Sequence, residues 1–335
     1  MMESIDLVVL WVDGSDPEWL RKRRMYCPES QDNGSDENRF RDMGLLRYWF
    51  RGVEVFAPWV RKVFFITDGQ LPDWLDTDHP KLVTVKHSDY IPEEYLPTFD
   101  SNVIELWLHR IEALSERFVL FNDDMFLTAK VTPEDFFKKG LPRETATLDI
   151  VTASTPEDCL PHMLTNNAGV LNKHFRKKDV LKRNAGAFFN LRWGKGQIRN
   201  FLLAPFKYFS TFRDPHLPSS YLKETFREVW QAEGALLEQT GRDRFRSKSD
   251  LTHWLMKCWQ ICQGRFYPRK ASWGRHYELW EDDVEMICRD LEKGRYKAVC
   301  INDSKTDVDL EAVSSRIRES FEKILPRKSG FERDR

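Results

Sequence analysis

The chain has 335 residues, 41% of them hydrophobic and 31% charged, with a formal net charge of −1. This length supports one large domain or a domain carrying a substantial insertion. The balanced charge gives no bulk electrostatic case for nucleic acid or an anionic membrane as partner.

The opening "MMESIDLVVLWVDG" lacks a charged n-region and reads as a strand over Ile5–Val12, not as a signal peptide. A helix should follow, capped by Ser15 or Asp16 with Pro17 at its first position. Residues 26–40 are polar and turn-rich and read as a loop. A helix is expected from Asp42 to Phe56, stopped by Pro58. "KVFFITDGQLPDW" then reads as strand, acidic turn and short helix, and "KLVTVKH" as another strand. "DSNVIELWLHRIEAL" is a helix opened by an Asp or Ser cap, leading directly into the strand "RFVLFNDD".

Strand and helix thus alternate, the pattern of an α/β domain with a mainly parallel sheet flanked by helices. Residues 155–265 differ, being helical and rich in aromatic and basic residues, and read as an insertion or cap. The tail resumes the opening style, with a strand in "YKAVCINDS" and an amphipathic helix in "DVDLEAVSSRIRESFEKIL". The expected organisation is a core over 1–154, a helical cap over 155–265, and a segment 266–335 that adds a final strand and helix to the first sheet. No stretch reaches the roughly 20 apolar residues of a membrane span. The six cysteines are scattered through a long chain and read as reduced, structural thiols in a cytoplasmic protein. The 12 Trp and 23 Phe suit a thick core, and equally a cleft that stacks sugars or bases.

Three apolar strands end in acid, at Asp13, at Asp68, and at Asp123 with Asp124. Open α/β sheets bind ligands at the carboxyl ends of their strands, so these acids are expected to share one cleft. Asn122-Asp123-Asp124 is a hard-oxygen set suited to Mg²⁺ or Mn²⁺, or else a plain Asx turn. Asn302-Asp303 ends a second strand and could supply another ligand. No Walker loop, GxGxxG or GxSxG is present, so any phosphate must be held by a metal and by arginines. Arg39, Arg47, Arg51, Arg213 and Arg246 are the candidates. His216 stands between Pro215 and Pro218, with a helix expected from about Ser219, a setting that can orient an imidazole. Glu105 and Asp124 could form an acid/base pair.

Several stretches together resemble the Stealth family. "IDLVVLWVDGSDPEW" is similar to its first conserved region, and the run from "LLRYWFRGVEVFAPWVRKVFFITDGQLPDWL" through "FVLFNDDMFL" resembles the second. "DPHLPSSYLKETFREVW" with "RFRSKSDLTHWL" looks like the third, and "VCINDS" like the fourth. The family includes bacterial capsular-polysaccharide phosphotransferases and the catalytic core of the eukaryotic N-acetylglucosamine-1-phosphotransferase. The resemblance implies a Rossmann-like, GT-A-like fold and transfer of a sugar 1-phosphate, such as N-acetylhexosamine 1-phosphate, from a UDP-sugar (UDP-GlcNAc in the eukaryotic enzyme) to a glycan hydroxyl. It implies catalytic roles for Asp124 and His216 and active-site positions for Glu105, Asp123, Arg246 and Asp303, some tied to the divalent metal. Taken with the residue-level candidates, the expected site has His216, Asp124 and Glu105 as catalytic groups, Asp123 and Asp303 as metal ligands, and Asp13, Arg39, Arg51, Asn122 and Arg246 as substrate-binding residues. The eukaryotic core carries Asn where this chain has Asp13. Its large acceptor-recognition modules have no counterpart here, which argues against a folded glycoprotein as acceptor. Oligomerisation is left open. The rival expectations are a metal-dependent glycosyltransferase that releases UDP and a catalytically inert sugar- or nucleotide-binding module.

Overall fold

In a computed structural model the described residues are 4–27, 40, 43–279, 282–303 and 309–333. The first sheet contains β1 (Ile5–Leu10), β2 (Val63–Thr67), β3 (Leu82–Lys86) and β4 (Arg117–Phe121), all parallel, in the order β4-β1-β2-β3. The fold is α/β with a mostly parallel central sheet. Successive β1 side chains enter opposite cores: Leu7 and Val9 pack on one face, Val8 on the other. A sheet buried on both faces needs apolar residues at every position, hence the unbroken "LVVL".

Helix α1 (Pro17–Tyr26) follows β1, and Asp16 caps it by accepting from the amides of Glu18 and Trp19. Helix α2 (Leu46–Phe56) lays Leu46, Trp49, Phe50 and Val53 on the first core. Its Gly52 is required by close approach, because a Cβ there would sit 2.9 Å from the Leu127 carbonyl oxygen. Helix α3 (Ser101–Leu106) starts at an Asp100 cap that accepts from the Asn102 amide. It is shorter than the expected helix, since the chain tightens into a 3₁₀ turn at Leu108–Arg110 before β4.

After β4 the chain turns at once into β5 (Met125–Leu127). The 155–265 segment is mainly helical, including α4 (Cys159–His174), but it also contributes β6 (Ser219–Leu222). That tetrapeptide was expected to begin a helix. It pairs antiparallel with β4 instead, Ser219 opposite Leu120, and the helix α5 (Lys223–Gly241) starts only afterwards. Helix α6 (Trp254–Gln263) packs beside it.

β6 takes the edge next to β4, and the C-terminal strand, expected in the first sheet, joins a second one. β7 (Gly274–Glu278) and β8 (Ala298–Asn302) run parallel, and β8 pairs antiparallel with β5 in a second sheet ordered β7-β8-β5. Helices α7 (Val284–Glu292) and α8 (Leu310–Ile324) pack against each other outside it. Among the described residues no helix is long and apolar enough to cross a membrane.

Candidate active site

A cavity of about 570 Å³ opens over the carboxyl ends of the parallel strands. Leu10 ends β1 with Trp11 and Val12 just beyond it, Ile66 is in β2, His87 follows β3, and Asn122 to Asp124 follow β4; all line it. The strand order reverses direction between β1 and β4, so the cavity sits where open α/β sheets place their ligands.

The Asn122–Asp124 segment is a turn, closed by a 3.2 Å bond from the Met125 amide to the Asn122 carbonyl. It also faces the cavity, so the two readings of the motif are compatible. Antiparallel pairing of β5 with β8 brings the second acidic strand end alongside. The Ile301 amide donates to the Asp124 carbonyl at 2.9 Å, and Asn302 and Asp303 line the same cavity. The Asp124 carboxylate is split in its bonding. Oδ2 accepts from Cys300 Sγ at 3.2 Å, while Oδ1 is buried with no hydrogen-bond partner among the described residues.

Strand β6 explains how His216 arrives there. It runs antiparallel to β4, so the residues just before it lie beside the acidic turn just after β4. His216 holds a left-handed backbone, φ 48°, a conformation seldom tolerated by a non-glycine residue away from functional or turn positions. Its Nδ1 is 3.6 Å from Asp214 Oδ2. Burial pushes the imidazole toward neutrality, but the Asp214 bond and the charges of Asp124 and Asp214 outweigh it and hold the pKa above 6.5. Asp214 is anchored in turn by the buried Lys257, 2.5 Å away, which lies 4.0 Å from the equally buried Glu144. Burial opposes ionisation of Asp214, yet Lys257 and His216 keep it strongly ionised.

Across the cavity Glu105 is buried, and the loss of hydration pushes its carboxyl up to about 8, with Arg246 pulling the other way. His253 lies 3.6 Å from it and is pushed down to about 3 by burial and Lys257. Near pH 7 the contact joins a neutral acid to a neutral imidazole and is no ion pair. Arg246 donates to Ser101 Oγ at 2.9 Å and reaches the Asp100 cap at 3.9 Å, which seats its guanidinium at the start of α3.

The cavity therefore brings together His216, Asp124, Glu105, Asn122, Arg246, Asp123 and Asp303. Among the described residues, Asp13, Arg47, Arg51, Asp68 and Arg213 do not line it. Asp13 turns back on its own loop, accepting from the amide and hydroxyl of Ser15. Asp68 is held by Lys22 at 2.6 Å and does not join the acidic cleft. Arg39 lies outside the described residues. Arg51 requires a plain correction: it is no substrate ligand. Its Nε and Nη2 grip the Glu332 carboxylate at 2.8 and 3.1 Å, and Nη1 donates to the Leu325 carbonyl, so it clamps the C-terminal segment onto α2. Both partners are buried. Removing one leaves the other charge unpaired, so Arg51→Ala should cost about 3 kcal/mol in denaturant unfolding. The activity of the remaining folded fraction should stay near wild type, and a selective loss of substrate affinity would reverse the correction.

Three residues in or under the site escaped the sequence reading. Asp214, two positions before His216, had a usable signal, since a carboxylate so close can orient an imidazole. His276 and Cys300 had none, because they meet only as register partners of β7 and β8. The ligand atoms of His216, His276 and Cys300 lie within 4.8 Å of one another. That nitrogen and sulfur set suits zinc better than magnesium.

Comparisons with known proteins agree with this picture. Family models for Stealth protein conserved regions 1 and 2 match residues 3–30 and 39–144. The chain is 42% identical to a capsular polysaccharide phosphotransferase WcwK of Streptococcus pneumoniae, covering 99% of both chains. It is 40% identical to the exopolysaccharide phosphotransferase cps2G of Lactiplantibacillus plantarum, covering 98% of this chain and 96% of the relative. It is 41% identical to the receptor polysaccharide phosphotransferase WefC of Streptococcus gordonii, over 99% of this chain and 100% of that one. Among solved structures, the galactosyltransferase LgtC in complex with donor and acceptor sugar analogs superposes with a TM-score of 0.40 at 9% identity, covering 94% of this chain and 95% of LgtC. Full-length identity at this level, with both conserved-region matches, shows that the chain belongs to the Stealth family of polysaccharide phosphotransferases.

Proposed function

We propose that the chain transfers a sugar 1-phosphate, of the N-acetylhexosamine class, from a UDP-sugar to a hydroxyl of a glycan acceptor. UMP is released and Mg²⁺ or Mn²⁺ is bound. The observation that carries this reading is the meeting of His216 with two acidic strand ends in one cavity above the parallel sheet. The names of the relatives favour phosphate-linked transfer over simple glycosyl transfer.

In this reading the acceptor oxygen attacks the β-phosphorus while the bond from that phosphorus to the bridging oxygen breaks. UMP departs with the bridging oxygen, and the sugar keeps its anomeric C–O bond. His216 takes the acceptor proton, with Asp214 as its positioning residue. Arg246 contributes positive charge at the α3 end of the cavity. Glu105, neutral near pH 7, donates a hydrogen bond to substrate. Asn122, on the β4 turn, gives a neutral polar contact. Trp19 and Phe99, whose rings meet at 5.7 Å in the cavity wall, offer a stacking surface for base or sugar.

The donor types suit a hard divalent cation: Asp123 and Asp303 would supply carboxylates, and Asp124, whose Oδ1 has no hydrogen-bond partner among the described residues, lines the same cavity. Such a cation, when bound, would neutralise the diphosphate, the main need of phosphoryl transfer. Chelation with EDTA should silence turnover, and Mg²⁺ or Mn²⁺ should restore it. Full activity after rigorous chelation sinks the metal assignment. A panel of nucleotide sugars scored for the released nucleotide tests the reaction itself. UMP supports the reading, UDP identifies a glycosyltransferase, and no turnover with any donor identifies a binding module.

A further inference from the structure

The 155–265 segment contains a helix whose polarity is inverted. In Gly196–Leu203 the inward residue is polar: Asn200 is fully buried and makes three hydrogen bonds. Its Oδ1 accepts from the Leu148 amide at 2.6 Å, and its Nδ2 donates to the carbonyls of Phe188 at 2.6 Å and Ala146 at 3.0 Å. Gly196 seats the same face closely, since a Cβ there would lie 3.0 Å from Thr147 Oγ1. With that face pinned, the i, i+3, i+4 set Ile198, Phe201 and Leu202 is turned outward, 61%, 60% and 67% exposed. Leu191, Phe206 and Tyr208 flank it and are similarly exposed. Surface apolar residues are ordinary singly, but six in eighteen positions form a patch that needs a partner.

The charge around them is one-sided. Between Leu191 and Tyr208 there are four basic residues and no acidic one, in a chain whose net charge is −1. Arg199 is committed to Asp149, whereas Arg192, Lys195 and Lys207 are exposed and make no ion pair among the described residues. Just upstream Lys178, Lys182 and Arg183 are exposed as well. A second copy of this chain docking here patch to patch would oppose like charges. An anionic surface with an apolar interior satisfies both features: rings and aliphatic chains enter the acyl boundary while the ammonium and guanidinium groups stay with lipid phosphates.

We propose that this face, Leu191 to Tyr208, docks the protein peripherally on an anionic lipid bilayer. Bulk charge argued against a membrane partner because acids elsewhere cancel a local excess. The inference is independent of the reaction assigned to the cavity.

The test is co-sedimentation of the full chain with vesicles of phosphatidylcholine alone, or of phosphatidylcholine mixed with phosphatidylglycerol, at low and high salt. Wild type should bind the anionic vesicles, less so as salt rises. Phe201→Ser with Phe206→Ser, and separately Arg192→Glu with Lys195→Glu, should each weaken binding about tenfold or more. All four positions are exposed, so thermal melts and donor binding should not change. Failure of wild type to sediment at low salt overturns the proposal, as does equal sedimentation of wild type and the Phe double variant. A concentration-dependent dimer that the Phe variant abolishes, without vesicle binding, also overturns it and assigns the face to a second copy.

Discussion

Asp124→Asn should produce a folded protein whose turnover is lower by about 10³-fold or more, the scale of losing a catalytic charge or proton acceptor. It follows β4, where the carboxylate presents one oxygen to Cys300 and leaves the other buried without a hydrogen-bond partner among the described residues. Desolvating half a carboxylate is costly, and folding alone gives no return for it. Asparagine keeps the shape and the contact side while removing the charge. The melting temperature should therefore hold or rise slightly as activity falls, the trade expected of a site strained for function. Measuring melts and kcat on the same preparation separates the two effects. Near-normal kcat in a folded variant removes Asp124 from the mechanism, and a lower melting temperature shows that the carboxylate was serving the fold instead.

The contrast between Asp124 and Arg51 shows what a sequence can disclose. Asp123 and Asp124 interrupt an otherwise apolar run at a strand end, a local signal with few explanations. The charge of Arg51 is paired with Glu332, 281 positions away, and nothing near Arg51 announces that. The first sheet was legible for a similar reason. β1, β2 and β4 are buried on both faces and so are almost continuously apolar, and each announces itself without reference to its neighbours. β6 was not legible, because a four-residue edge strand has no periodicity to read and its pairing with β4 is a long-range event. The C-terminal strand was misplaced for the same reason, since its pairing with β5 is also a long-range event. The unreadable tetrapeptide moved the helix expected at Ser219. His216 was found for a local reason, its proline-flanked loop, although the geometry that brings it to the acidic turn depends on that strand.

His216→Ala should lower kcat by roughly 10²–10⁴, the range of general acid–base catalysis, and leave donor affinity nearly unchanged. A base must be neutral to accept the acceptor proton. Its pKa is held above 6.5, against burial, by the Asp214 bond and by the charges of Asp124 and Asp214. Activity should accordingly fall as pH drops through that raised value, and this acid limb should flatten in the alanine variant. Asp214→Asn supplies the second arm. It removes one of the two charges and weakens the bond, so the imidazole should titrate lower and the acid limb should move to lower pH, compared at the same Mg²⁺ concentration. The substitution also deprives the buried Lys257 of its nearest partner, so some stability will be lost, and rates must be taken per folded molecule. A purely structural Asp214 would lower stability without moving the limb. If His216→Ala instead abolishes UDP-sugar binding while the residual activity keeps the wild-type acid limb, the imidazole is a donor ligand. The proton then goes to Asp124, a carboxylate at the cavity able to accept it from an attacking hydroxyl.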